Sequence, residues 1–70
     1  MEKGIVKWFN DEKGYGFIER EGGSDIFVYW SNIKMQGHKT LEAGEKVKFD
    51  VEKTDKGENA INVEVIEEEY

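Results

Sequence analysis

The sequence predicts an all-β chain, and three observations predict it. Short runs of β-branched and aromatic residues with a two-residue period recur five times, and no stretch carries the longer period of a helix. Proline is absent, and the 8 glycines fall mostly where the alternation stops, so the turns rest on Gly, Asn, Asp and Ser. Lys13-Gly14-Tyr15-Gly16-Phe17-Ile18 and Ile26-Phe27-Val28-Tyr29-Trp30 carry rings at alternate positions. Side chains alternate between the two faces of a strand. Tyr15 and Phe17 therefore share one face of their strand and Phe27 and Tyr29 one face of theirs, so the four rings can line up on one surface, while Gly16, Ile18, Ile26 and Val28 supply the opposite, core-forming sides. The rings are surplus to packing. Such a surface suits a flat ligand, and nucleobases lead that class.

Taken in order, Gly4 to Asn10 reads as a first strand, in which Ile5, Val6, Trp8 and Phe9 are β-prone. Its parity is ambiguous, because Ile5, Lys7 and Phe9 fall on one face and Val6, Trp8 and Asn10 on the other. A β-bulge that re-aims part of the strand resolves this. Asn10 to Gly14 is a polar turn, and a second strand from Tyr15 to about Arg20 closes a hairpin. After Glu21-Gly22-Gly23-Ser24, a third strand runs from Asp25 to Tyr29 or Trp30. Ser31 is placed to cap one helical turn through Asn32-Ile33-Lys34, dropping Ile33 into the core. Met35 to Gly44 is a long loop with Leu41 as its apolar anchor, and long ordered loops in small domains are often functional. Lys46 to Glu52 alternates strictly, with Val47, Phe49 and Val51 inward. Lys53 to Glu58 is a charged turn around Gly57, and Asn59 to Ile66 alternates through Ile61, Val63 and Val65.

A meander of three strands followed by two more across a long connection fits a five-stranded antiparallel Greek-key barrel of the OB type. Strand counting leaves a five-stranded sandwich or an SH3-like barrel as alternatives. The 70 residues are expected to form a single domain over 1–70, with modest stability for its size and with no cysteine to staple it.

A formal net charge of −6 runs against polyanion binding, which draws on Lys and Arg. Its distribution changes that reading. Residues 1–40 hold six basic and six acidic groups, whereas residues 41–70 hold four lysines against ten carboxylates and end in Glu67-Glu68-Glu69-Tyr70. The aromatic half is neutral, and the acidic half is expected to face away from it. No apolar run approaches the roughly 20 residues of a membrane span, and the first residues lead into a strand rather than a signal peptide, so a cytoplasmic protein is expected. His38 is the single histidine and there is no cysteine, so no metal-ligating or catalytic constellation forms and enzyme readings rank last.

Gly4-Ile5-Val6-Lys7-Trp8-Phe9-Asn10, Lys13 to Ile18, and Asp25-Ile26-Phe27-Val28 together resemble the bacterial cold-shock proteins in both order and spacing. The likeness continues through Ser31-Asn32-Ile33, Gly37 to Gly44 and Gly57 to Val63, so it covers essentially the whole chain. The Lys-Gly-aromatic-Gly-Phe-Ile and Phe-Val-aromatic pieces are similar to that family's two ribonucleoprotein motifs. The resemblance implies a five-stranded barrel that binds single-stranded RNA or DNA, leaning toward pyrimidines, in some members as an RNA chaperone. It implies no cofactor. By position it implies that Trp8, Tyr15, Phe17 and Phe27 stack on bases, with Trp30 extending the stacking area. It implies that Lys7 and Lys13 contact backbone or base edges and that Asp25 accepts hydrogen bonds from a base. Of the surface lysines Lys34 and Lys39, Lys39 is the better-placed contact because it lies in the long loop.

Three positions depart from the family pattern. Tyr29 stands where His is usual and still offers a ring. His38 stands where Phe is usual, offering a smaller ring that titrates near pH 6.5 when unperturbed. Glu58 stands where Pro is common, adding chain freedom and a negative charge at the edge of the binding surface. Both His38 and Glu58 predict weaker binding than in a typical member. Two other readings use the same residues: a protein-interaction module with the rings as a hot spot, and a stability-oriented or designed variant that keeps the fold and loses affinity. The rings could also serve only as cross-strand pairs, and the lysines only as solvated surface groups. The expected species is a monomer.

Overall fold

The computed structural model describes residues 1–35 and 39–66. Five strands form a closed barrel: β1 (Glu2–Asn10), β2 (Tyr15–Arg20), β3 (Ile26–Tyr29), β4 (Lys46–Thr54) and β5 (Gly57–Val65), in the spatial order β1-β2-β3-β5-β4. The β1–β2, β2–β3, β4–β5 and β1–β4 pairs are antiparallel. The seam that closes the barrel departs from the antiparallel expectation: β3 meets β5 in parallel over Phe27↔Asn59 and Val28↔Ala60. Closure pairs the strand edges that would otherwise be exposed.

The core inside this barrel contains Val6, Ile18, Ile26, Val28, Ile33, Leu41, Val47, Phe49, Ala60 and Val63. Phe49 is the largest of them and is fully buried. Two bulges set which residues reach it. In β1 the register shifts between Val6 and Trp8, so Lys7 is the extra residue. Val6 faces inward opposite Ile18, Trp8 faces outward opposite Phe17, and Phe9 turns back against the core. This resolves the ambiguous parity of the first strand.

The second bulge lies between β4 and β5, where Lys48↔Glu64 is followed by Asp50↔Ile61. Asn62 takes a left-handed φ of 53° there, and the shift brings both Ala60 and Val63 into the core. The simple alternation expected for the last strand therefore breaks at its middle: Ile61 is only half-buried while Ala60 is buried.

The single helical turn covers Trp30–Asn32 and not Asn32–Lys34. Tyr29 is its N-cap and no side chain caps it. The Ile33 N–H donates to the Trp30 carbonyl at 3.1 Å, which ends the turn early. Ile33 returns to extended backbone and bridges Val63, so it reaches the core as expected. Leu41 anchors the following loop, also as expected.

Candidate nucleic-acid interface

The outward face of β1, β2 and β3 carries a continuous band of five rings. Strand pairing sets their order: Trp8 lies opposite Phe17, Phe17 opposite Phe27, and Tyr15 opposite Tyr29. Trp8 sits 5.4 Å from Phe17 and 5.9 Å from Tyr15 between ring centroids. Phe27 is the hub, 5.3 Å from Phe17, 5.4 Å from Tyr15 and 4.5 Å from Tyr29. Most of these contacts are edge-on or tilted, which favours aromatic pairing and leaves ring faces free. Trp8 and Tyr29 are 41% and 45% exposed, too open for core residues of that size. Behind the band, Gly16 lies so close to β1 that a Cβ there would meet the Trp8 carbonyl oxygen at 2.2 Å. Gly16 thus lets β2 approach β1 and seats the first two rings.

Trp30 forms a second, separate ring surface and is 53% exposed. Its indole lies over Gly14, where a Cβ would stand 2.4 Å from Cδ1, and the Trp30 backbone N–H donates to the Gly14 carbonyl at 2.8 Å. Gly14 has φ +74°, so this position requires glycine both for its backbone and for the indole above it. The Lys39 ammonium sits 5.7 Å from the Trp30 ring centroid, within cation–π range. The Thr40 hydroxyl donates to the Asp11 carboxylate, tying that end of the loop to the β1–β2 turn.

The charged residues divide differently. Lys7 and Asp25 bind each other, Nζ to Oδ2 at 2.9 Å, at the edge of the ring band. The hydrogen bond to Asp25, followed by attraction to the same carboxylate, holds the Lys7 ammonium above the ordinary lysine pKa. Lys13 is exposed in the β1–β2 turn, where its backbone N–H donates to the Asn10 side chain at 2.9 Å. His38, Glu67, Glu68, Glu69 and Tyr70 lie outside the described residues.

The acidic half of the chain does not wholly face away from the rings. Because β5 closes against β3, the β4–β5 hairpin forms the wall of a groove of about 420 Å³ floored by Phe17, Phe27 and Tyr29. Thr54, Lys56, Glu58 and Asn59 supply that wall, with Asp25 also at the groove. Glu58 lies within β5 rather than in the turn before it. Its carboxylate accepts from the Arg20 guanidinium at 3.2 Å. Thr54, Lys56 and Asn59 carried no local sign of this role in the sequence, since the parallel seam that brings β5 to the rings joins residues 27 and 59.

The geometry meets a sequence family at this point. The sequence model described as the 'Cold-shock' DNA-binding domain matches residues 2–66. The chain belongs to that family. It is a nucleic-acid-binding protein of the cold-shock type. It is 58% identical to cold shock protein CspC of Bacillus subtilis over 64 residues, covering 91% of this chain and 97% of that one. It is 56% identical to cold shock protein CspB of Bacillus caldolyticus over 63 residues, covering 90% and 96%. Among solved structures, the Drosophila Unr CSD456 protein matches the fold with a TM-score of 0.77 at 18% identity. The match covers 94% of this chain, which spans only 26% of that longer protein. Among the described residues no helix is long and apolar enough to cross a membrane.

Proposed function

We propose that this cytoplasmic monomer binds single-stranded RNA or DNA, leaning toward pyrimidines, by stacking successive bases on Trp8, Phe17, Phe27 and Tyr15, with Tyr29 and Trp30 at the flanks. One observation carries the reading: five rings, each in contact with at least one other, stand on one face of the sheet while a separate apolar core is complete behind them. Base–aromatic stacking contributes about 1–3 kcal/mol per base and tolerates sequence, so a few rings suffice for useful affinity. Lys13 and Lys39 meet the strand's phosphates. Lys7 and Asp25 are bound to each other in the free protein, so they engage the ligand by exchanging that pair for contacts to backbone and base edge. The protein binds without catalysis, and its RNA-chaperone-like action follows from stacking that competes with base pairing.

The test is quenching of Trp8 and Trp30 fluorescence during titration with short pyrimidine RNA and DNA oligomers, repeated over a range of salt. Single strands are expected to quench and a duplex of the same sequence is not. With one to three phosphate contacts, the slope of log affinity against log salt should lie at roughly −0.7 to −2. Absence of quenching at micromolar protein removes the reading, and a slope like that of a strongly basic binder removes the stacking mechanism. Light scattering on the same samples reports the monomer.

A further inference from the structure

The Glu58 carboxylate stands at the wall of the aromatic groove, where it would repel the phosphates of a bound strand, yet its partner Arg20 does not face that groove. Arg20 lines a separate concavity with Lys3, Gly4 and Ile5. Its side chain is only 13% exposed, and its guanidinium reaches three elements at once. Nε donates to the Ser24 carbonyl at 2.8 Å in the β2–β3 turn. One Nη binds Glu58 at 3.2 Å on β5, and the other stands 3.6 Å from Glu2 at the start of β1. The fork also lies against Gly23, where a Cβ would come within 3.3 Å of Nε. Arginine suits this place because its planar fork serves several acceptors in fixed directions, which a lysine ammonium does not.

We propose that Arg20 is a positioning residue for the groove. It draws the Glu58 carboxylate toward the neighbouring concavity and so keeps that charge from swinging over Phe17 and Phe27. The proposal rests on the nucleic-acid reading above and concerns a pair of residues that reading does not use. Simple addition of charges does not describe it. If Arg20 and Glu58 acted only through net charge, removing each would change affinity by a factor independent of the other. A positional lock couples them.

The experiment is a double-mutant cycle, Arg20→Gln, Glu58→Gln and both together, with affinity for a short pyrimidine DNA oligomer read by tryptophan quenching. Urea unfolding of each variant is measured alongside. Glu58→Gln raises affinity less with Arg20 in place than it does in the Arg20→Gln background. Arg20→Gln weakens binding on the order of two- to five-fold at low salt, the range of an exposed charge interaction. The double variant returns to near the parental affinity, and the loss fades at 1 M salt, where screening acts within about 3 Å. If Arg20→Gln unfolds the protein, Arg20→Lys runs the same cycle with the charge kept and the fork lost. Equal effects of Glu58→Gln in both backgrounds overturn the proposal, as does a double variant as weak as Arg20→Gln alone, which would mean that Arg20 itself touches the strand. A parental protein that does not quench at all instead overturns the nucleic-acid reading beneath it.

Discussion

Replacing Phe27 by alanine separates the two jobs of an aromatic residue in this barrel. Phe27 faces Phe17 directly across β2–β3 and touches Tyr15 and Tyr29, with three centroid distances between 4.5 and 5.4 Å. It is half-buried, so its removal opens no enclosed cavity. A cross-strand pair contributes about 0.2–1 kcal/mol, so the three ring contacts together come to about 0.6–3 kcal/mol. For a chain of 70 residues the total stability is roughly 4–10 kcal/mol. Phe27→Ala therefore remains folded. Its binding loss is larger in proportion: about 1–3 kcal/mol of stacking, or a 5- to 150-fold rise in Kd. Phe49→Ala is the control, since that ring is fully buried and its loss costs about 3–5 kcal/mol, enough to threaten the fold. Urea unfolding followed by circular dichroism, with quenching titrations in the same buffer, measures both quantities. The reasoning fails if Phe27→Ala unfolds as Phe49→Ala does, which would make Phe27 a core residue, or if it binds as the parent does.

Two further perturbations probe the edges of the site. Gly14→Ala forces a side chain into a left-handed backbone and against the Trp30 indole, and is expected to destabilise by about 1–3 kcal/mol while shifting tryptophan emission. Parental stability with unchanged emission would show that the indole does not rest there. The Lys7–Asp25 pair has an alkaline signature, because Lys7 titrates above its ordinary value. A raised lysine pKa contributes stability that is fully present below the unfolded value near 10.4 and is lost as pH rises through the higher folded value. The stability difference between the parent and Asp25→Asn should therefore be flat from pH 8 to about 10 and shrink above that. A difference that persists unchanged to pH 12 would mean that the pair contributes through something other than the lysine charge.

Much of the candidate site was legible because it follows from strand parity. The rings at 15, 17, 27 and 29 and the apolar side chains at 18, 26 and 28 are placed on opposite faces by alternation alone, and β2 and β3 realise that placement. The bulge in β1 was legible as a conflict of parity, and the structure resolves it by setting Lys7 aside so that Trp8 joins the rings and Phe9 meets the core. The bulge in β5 was not legible. Ile61, Val63 and Val65 alternate without conflict, and only the burial of both Ala60 and Val63 in the core shows that Asn62 must turn left-handed between them. The helical turn was misplaced for a related reason: Ser31 is a good capping residue, but the Trp30 carbonyl takes the Ile33 N–H before that cap can form.

By itself, the sequence determined the strands, their hairpins, the division into a core face and a ring face, and the family. All of these rest on residues close together in the chain, or on the pleat, which every strand obeys. The tertiary structure alone decided that the acidic hairpin stands beside the rings, that Lys7 and Asp25 hold each other, and that Arg20 restrains Glu58. Those partners lie 18 and 38 residues apart: the first pair meets across the β1–β2–β3 meander, where the bulge sets Lys7 aside, and the second only when the parallel β3–β5 seam closes the barrel. A local pattern cannot encode such a meeting, because the distance between two distant side chains depends on every register and bulge between them.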